Sequence, residues 1–471
     1  MATFNININP ASGVIEIPVL NITSPAVTYT LQLKYTGTIT VDWGEGTIES
    51  ITSTDNTITR HFITPTFTSY NGTIRIIGNI DNIKYFYLIN NNFGTSGGTF
   101  FIKFSELTKL TTVETIVISV PTHGSVGNLS EISNLPLKKL WLSNGNTFNP
   151  TGNINSLIPT IDDLTITGIN TITGNINHFI NIQNFVVFGN NTLSGDIKDL
   201  PTTLKEFRIL GFNTINGDVE DLFTPVLFDI NVVGNNTITG DIINLPNSII
   251  NLNVQGLNTL YGNLNDLQSI IYSFFVVGGN NTISGTINEL NNGLSILDIR
   301  GDNTISGNIG NLPSSLLRFE IRGDNTINGT LDDIISTLNN FVLTGNNTIT
   351  GDIVKLNTVV NSLIIEGTNT VYGDVSNMNA VFNIITGSNE IQTYTSPNSF
   401  RSVVDILLIS QTGIIKLDST EIDNILIDLD NSVTTWTGSK TVTLTGHDPR
   451  TIASDAAVLS LIGKGVTVST T

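Results

Sequence analysis

Apolar and polar residues along this chain follow two rhythms at once. Over short stretches they alternate with period two, and the whole pattern returns every 21 to 24 residues, most often 22. One unit reads Leu204-x-x-Phe207-x-Ile209-x-Gly211-x-Asn213-Thr214-Ile215-x-Gly217-Asp218-Val219, followed by Asp221-Leu222. Alternation through Phe207 and Ile209 predicts a short strand with those side chains turned inward. The Gly and Asn that follow predict a turn out of the strand. So short a unit cannot bury its own apolar edge, so neighbours must stack into a parallel sheet over a continuous core of Leu, Ile and Val. An Asn-Thr pair followed by a β-branched or aromatic residue or Leu begins at Asn146, Asn170, Asn191, Asn213, Asn236, Asn258, Asn281, Asn303, Asn325, Asn347 and Asn369. The repeats also differ in pairs: Gly-Asn-Asn-Thr recurs around Asn191, Asn236 and Asn281, with Gly-Phe-Asn-Thr and Gly-Leu-Asn-Thr between.

The flanks read differently. Val14–Ile17, Tyr29–Leu33, Thr38–Val41 and Thr73–Ile77 alternate with turn signals between them, which predicts a small β-sandwich. Near the other end, Ser454 to Ile462 predicts a short helix with Ser454 as N-cap. Gly463 and Gly465 stop it before a strand Val466–Val468. Such a helix and strand would cover the open end of a repeat array. The expected fold is therefore mainly β: an N-terminal arm and sandwich over 1–80, a repeat solenoid over 81–430 that is clearest over 137–390, and a C-terminal helix-strand cap over 431–471.

The repeat unit resembles the leucine-rich-repeat family, whose pattern is Leu-x-x-Leu-x-Leu-x-x-Asn followed by Leu-x-Gly-x-Ile-Pro. In that family the Asn forms a buried ladder, a role the resemblance assigns to Asn213, Asn236, Asn303 and their equivalents. Here the Asn lies one place later, as Leu204 to Asn213 shows, which opens the question of how the chain bends there. Asp42-Trp43-Gly44-Glu45-Gly46-Thr47, with Arg60-His61-Phe62 after it, is similar to the turn of the polycystic-kidney-disease (PKD) type of immunoglobulin-like domain. In overall style, and in its Met1–Asn5 start and its Ser454–Ala457 to Lys464–Val468 ending, the chain resembles virion proteins of phages infecting Bacteroidota, including the crAss-like group. That resemblance implies a head or tail accessory protein whose partners are other virion proteins and a host surface receptor or glycan. A homo-oligomer is compatible with it.

Composition narrows the chemistry. Lys+Arg 20 against Asp+Glu 39 gives a net charge of −19, which repels phosphate backbones and anionic lipid. Neither nucleic acid nor membrane insertion is therefore expected. Zero Cys removes disulfides, thiolate catalysis and Cys-based metal sites. The start lacks the pattern of a secretory signal, so the expected route is synthesis in the cytoplasm and release in a virion. A bacterial surface adhesin exported by another route is the alternative.

No catalytic residue and no cofactor is assigned. His61, His123, His178 and His447 lie in different regions of the chain, and no nucleophile elbow, phosphate loop or His-Glu-x-x-His is present. The Gly-Asp pairs at Asp196, Asp218, Asp241, Asp352 and Asp374 suggest calcium. However, Asn153, Asn175, Asn263, Asn308, Thr286 or Thr330 stands there in other repeats, as turn formation alone requires. A glycan-cleaving solenoid would need paired carboxylates, for which Asp298 and Glu320 are the candidates. The sheet face is more informative, because the positions alternating with the buried ones should face solvent. They include Trp141, Val186, Phe188, Leu210, Val233, Val276, Val342 and Ile364, with Arg208, Asp298, Arg300, Glu320, Arg322 and Glu366 among them. Isolated apolar residues of this kind are ordinary, whereas a contiguous patch marks a partner surface. Trp141, Val186, Phe188, Arg208, Leu210, Val233, Asp298, Arg300, Glu320 and Arg322 are the partner-binding candidates, in a non-enzymatic structural and binding protein.

Overall fold

The computed structural model describes residues 13–27, 29–44, 46–63, 67–90, 99–120, 124–144, 150–222, 224–267, 273–356, 362–377, 382–397, 406–411, 416–432 and 440–470. Glu45, His123 and Asn146 lie outside them. The chain forms two compact units, Met1–Thr237 and Ile238–Thr471.

In the first unit, Gly13–Val27 pairs antiparallel with Phe67–Gly78, which also pairs with Gly37–Asp42, and that strand pairs with Ile48–Ser53. Facing this sheet, Tyr29–Lys34 lies between Arg60–Ile63 and Tyr85–Asn90, antiparallel to both. Ile15, Ile39, Val41, Trp43, Ile74, Leu31, Leu33 and Phe62 are buried, filling the sandwich. Trp43 sits in a tight hairpin, where its N–H donates to the Thr47 carbonyl at 3.0 Å and Gly44 N–H to Asp42 Oδ1 at 2.9 Å.

Tyr85–Asn90 has a second neighbour, Thr115–Val120, and pairs with it in parallel. Lys139–Asn144, Asp163–Thr167, Asn184–Asp196 and Glu206–Asp218 follow in the same sense. The sandwich thus closes the edge of the repeat sheet, which would otherwise present unpaired N–H and C=O groups.

The repeats do not turn after Gly-x-Asn as the sequence suggests; they bend and remain extended. Glu206–Asp218 is one thirteen-residue strand. Before the bend its partners lie 22 residues apart, Asn184 with Glu206, and after it 20 apart, Ser194 with Thr214. Each repeat therefore contributes to two parallel sheets with a corner between them. At that corner Gly211 has φ +151°, and a Cβ there would lie 2.7 Å from the Gly189 carbonyl oxygen of the preceding repeat. The β-branched residues after the corner, such as Thr214 and Ile215, favour extended backbone over a turn.

The ladder asparagines satisfy that corner. Asn213 Oδ1 accepts from Leu193 N–H of the repeat before at 3.0 Å, and its Nδ2 donates to the Val233 carbonyl of the repeat after at 3.4 Å. Asn170, Asn191, Asn213 and Asn236 have no exposed surface. With one parallel strand per repeat, the ladder and a short 3-10 turn on the far side, the repeats form a β-solenoid of the leucine-rich-repeat kind. The carboxylates of the Gly-Asp pairs cap these turns: Asp218 Oδ1 accepts from Glu220 N–H at 2.9 Å, as Asn153 does from Asn155 N–H at 2.8 Å.

The second unit repeats this plan from Asn251–Asn263 through Ser362–Asp374 and Phe382–Thr393, then in the shorter Ile406–Gln411, Lys440–Thr445 and Val466–Thr470. The ladder runs further than the Asn-Thr pairs show. Asn389 joins it fully buried, and Gln411 Nε2 donates to the Ile391 carbonyl at 3.1 Å. Ser419–Ser432 is a helix, and the boundary expected at 430 falls inside it. Its capping box is Asp418, which accepts from Thr420 and Glu421 N–H, and Glu421, which accepts from Asp418 N–H at 2.9 Å. The last helix is Asp455–Gly463, but Ser454 makes no cap bond to it. Its hydroxyl donates instead to Asp423 Oδ1 at 2.6 Å, joining the two helices.

Asp423 is buried and also accepts from Thr451 N–H at 3.0 Å. Burial pushes its carboxyl pKa up, but the bonds from Ser454 and Thr451 outweigh this and hold it below the usual carboxylate range. A depressed folded pKa stabilises above the unfolded value and is lost as pH falls through the folded one. Thermal melts from about pH 5 down to about pH 2 should therefore show the cap weakening in the wild type. In Asp423→Asn that part of the pH dependence should be missing. An identical pH dependence in both proteins would contradict the role given to Asp423.

Candidate functional site

The first sheet has three outward columns, set by the residues before, between and after the two buried positions of each strand. In the first unit the middle column holds Trp141, Thr165, Val186 and Arg208, and the last holds Phe188 and Leu210. Trp141 is 40% exposed, with Lys139 Nζ 4.9 Å from its ring centre and 2.6 Å from Asp163 Oδ2. Phe188, Leu210 and Val233 are half-buried. Behind them Phe179 meets Phe185 edge to face at 5.7 Å and Phe185 meets Phe207 tilted at 5.8 Å, so the face stands on a rigid aromatic core.

Arg208 is pinned rather than free. Its Nε and Nη2 donate to Asp229 Oδ1 and Oδ2 at 3.1 and 2.7 Å, and its Nε lies 3.0 Å from Glu206 Oε1. The bond to Asp229 raises the Arg208 pKa against the effect of burial. Burial raises that of Glu206, Arg208 lowers it and Asp229 raises it again, leaving it above the usual value. Bidentate pairing fixes the guanidinium plane across the repeats.

Val186, Asp298 and Glu320 do not face solvent as expected; they are buried, as are Val342 and Ile364. At Asp298 and Glu320 the cause is arginines of the same and adjacent strands. In the second unit Arg300 donates to both Asp298 oxygens at 2.8 Å, and Arg318 Nη2 to Asp298 Oδ2 at 2.7 Å. Glu320 lies 3.0 Å from Arg318, 3.5 Å from Arg300 and 3.8 Å from Arg322, and accepts from Asn340 Nδ2 at 3.2 Å. The nominated carboxylate pair is thus buried beneath arginines that hold it, and presents no acid and nucleophile to a glycosidic bond.

The candidates therefore fall into two sets: Trp141, Val186, Phe188, Arg208, Leu210 and Val233 in the first unit, and Asp298, Arg300, Glu320 and Arg322 in the second. Sequence reading missed Lys139, Asp163, Glu206, Asp229 and Arg318, which occupy the first outward column. Period two extended one step towards the N-terminus of each strand would have found them.

Among the described residues the histidines lie apart, in different parts of the fold. His178 Nε2 bonds to the Leu157 carbonyl at 2.7 Å and His447 Nε2 to the Leu444 carbonyl at 2.9 Å. Among the described residues no three His, Cys, Asp or Glu side chains are grouped to hold a metal ion. A cleft of about 310 Å³ in the C-terminal cap is lined by His447, Arg450, Thr451, Ile452 and Asp455, with Arg450 already paired to Asp455 at 2.5 Å.

No protein-family model matches the chain, and no curated protein does. Among solved structures it is similar to the plant peptide hormone receptor RGFR1 in complex with RGF2, at 15% identity and a TM-score of 0.46, over 78% of this chain and 64% of that one. It is also similar to the Arabidopsis receptor kinase HAESA in complex with the peptide hormone IDA and the co-receptor SERK1, at 20% identity and a TM-score of 0.42, over 62% and 52%. A third is the leucine-rich-repeat ectodomain of the Arabidopsis thaliana receptor kinase GASSHO1/SCHENGEN3, at 16% identity and a TM-score of 0.41, over 72% and 48%. The chain spans between about half and two thirds of the length of these structures.

Proposed function

We propose that the chain is a non-enzymatic structural and binding protein that holds a protein partner on the outward sheet face of its Met1–Thr237 unit. The observation that carries this reading is the half-buried outward column of Phe188, Leu210 and Val233, bordered by the fixed Arg208–Asp229 pair, with exposed Trp141 two strands from Phe188 on the same sheet face. Aromatic anchors beside an oriented arginine are the composition of interface hot spots. Its rigid backing means that little side-chain freedom is lost on binding.

The finer reading is a virion protein, head- or tail-associated, whose partner is another virion protein or a host surface receptor. Supporting it are the Asn- and Thr-rich, Cys-free composition, the resemblance of both ends to virion proteins of Bacteroidota phages, and the resemblance of the Asp42–Thr47 sequence to the turn of PKD-type domains. Mass spectrometry of purified particles tests the location: the chain should be present in fixed ratio to the capsid protein. Recovery from bacterial envelopes with none in particles would instead favour the surface adhesin.

Phe188→Asp with Leu210→Asp tests the surface. Neither side chain belongs to the inward register, so the fold should persist with a melting temperature within a few degrees of wild type. Adsorption or assembly should fall at least about a hundredfold. A double variant that assembles and adsorbs normally would remove this reading.

A further inference from the structure

We infer that the second sheet of the Ile238–Thr471 unit binds an uncharged, extended β-linked polysaccharide laid along the stack of repeats. This site is separate from the face proposed above and shares no residue with it. The residue after each ladder asparagine is threonine in every repeat from Thr171 to Thr370, and each of these threonines is exposed. In the second unit they are Thr259, Thr282, Thr304, Thr326, Thr348 and Thr370. Strand propensity does not account for this constancy, since Val, Ile or Tyr would serve as well. In the same repeats the middle outward column of the first sheet has drifted through Asn253, Val276, Asp298, Glu320, Val342 and Ile364. Inward neighbours such as Ile283 and Ile305 are fully buried, so each threonine is held on a fixed strand.

The register makes a lattice of these side chains. Two residues further along each strand comes a second outward column, and it lies beside the threonines of the next repeat. Ser284 pairs with Thr304, Ser306 with Thr326, Asn328 with Thr348 and Thr350 with Thr370. The second column is partly tied down, for Ser284, Ser306 and Thr350 donate to the Gly262, Gly285 and Gly329 carbonyls at 3.2, 3.2 and 3.3 Å. Among the described residues the Thr282, Thr304, Thr326 and Thr348 hydroxyls make no hydrogen bond to protein, so they remain available to a ligand.

Adjacent strands lie about 4.8 Å apart, so the column offers one hydroxyl and one methyl group per step of that length. A diequatorially linked glycan is a flat ribbon whose sugars advance by nearly the same step. It presents equatorial hydroxyls, which suit threonine Oγ1, and C–H faces, which suit the methyl groups. Tyr261 and Tyr372 occupy the second column at the two sides of this stretch, 45% and 40% exposed, and each offers a ring on which a sugar can lie. Tyrosine reaches further from the backbone than threonine, so exposed rings at the two sides of the column oppose a flat crystalline partner such as ice. The net charge of −19 opposes acidic polysaccharides.

Affinity electrophoresis of the full chain through gels containing hydroxyethylcellulose, glucomannan or xyloglucan tests the inference, with amylose as the coiled α-linked control. At least one β-linked polymer should retard the protein while amylose does not. Thr304→Val, Thr326→Val and Thr348→Val combined keep the methyl groups and strand propensity, and should weaken retardation at least about tenfold. Tyr261→Ala with Tyr372→Ala should do the same, circular dichroism confirming that both variants are folded. Phe188→Asp with Leu210→Asp should be retarded like wild type, so this site and the sheet face can fail independently. Mobility unaffected by every β-linked polymer, equal retardation by amylose, or a triple valine variant that binds normally overturns the proposal. So does faceted ice growth in the protein's presence without retardation by any glycan.

Discussion

Gly301→Val is expected to prevent the Ile238–Thr471 unit from reaching its native packing. Gly301 has φ +140°, in the region that L-residues avoid and β-branched ones avoid most. That backbone strain alone costs about 1–3 kcal/mol. The larger obstacle is the neighbouring repeat, because a Cβ at this position would lie 2.5 Å from both the backbone N and O of Asn281. Asn281 cannot withdraw, since its own amide is bonded to Leu260 N–H at 2.9 Å and to the Arg300 carbonyl at 2.9 Å. The strands must therefore separate at the corner, breaking ladder bonds on both sides. The expected loss exceeds about 4 kcal/mol, seen as a lower urea midpoint or as proteolysis within the unit. Gly463→Ala is the control, because a Cβ there meets nothing within 4 Å. It should change stability by no more than about 1 kcal/mol. Equal midpoints for the two variants would show that the corner has room the structure denies it.

Asn303→Leu should have the next largest effect. Leucine is close to asparagine in size, so the substitution leaves little cavity and mainly removes hydrogen bonding. Asn303 is fully buried; its Oδ1 accepts from Ile283 N–H at 2.9 Å and its Nδ2 donates to the Arg322 carbonyl at 3.0 Å. Without the amide, a backbone donor in one repeat and an acceptor in the next are left buried and unpaired. Each costs about 1–3 kcal/mol, giving a total of about 2–6 kcal/mol. Because repeats couple mainly to their neighbours, hydrogen exchange should quicken around Ile283 and Arg322 before it does elsewhere. Asn308→Ala is the matched comparison, removing an exposed turn bond to Gly310 N–H of 2.8 Å at a cost near 1 kcal/mol. A smaller loss at Asn303 than at Asn308 would mean that the ladder is not a dry, structural element.

How much of this molecule could be read in advance depended on whether the deciding interaction repeats. The Asn213 and Asn303 ladder was legible because the asparagine recurs in each repeat at a place where the resemblance to leucine-rich repeats implies a buried ladder, the same side chain meeting the same backbone groups each time. The Gly-Asp turns were legible for a similar reason, since Asp, Asn and Thr all supply the acceptor a turn needs. The helix Ser419–Ser432 carried a readable signal, Asp418 three residues before Glu421, overshadowed by the repeat pattern leading up to it. The binding candidates were legible only by column: alternation placed Phe188 and Leu210 outward but could not show that Val186, Asp298 and Glu320 lie beneath their neighbours.

The sequence by itself determined the period and the inward register, because local alternation and a strict repeat leave one way to bury the apolar edge; the buried asparagines followed from the resemblance of the repeat to the leucine-rich-repeat family. Tertiary structure alone decided the rest. Whether extended backbone continues past Gly211 depends on the strand of the preceding repeat, whose pairing holds Thr214 and Ile215 in a second sheet, and on Asn236 of the next repeat, which accepts from Ile215 N–H. Whether the outward carboxylate of Asp298 meets water depends on Arg300 two residues along and Arg318 one repeat away. The partner that closes the parallel sheet, Tyr29–Lys34, lies more than fifty residues before the strand it covers. Each of these outcomes is set by groups distant in sequence, and one-dimensional periodicity records which side a residue faces without recording what lies over it.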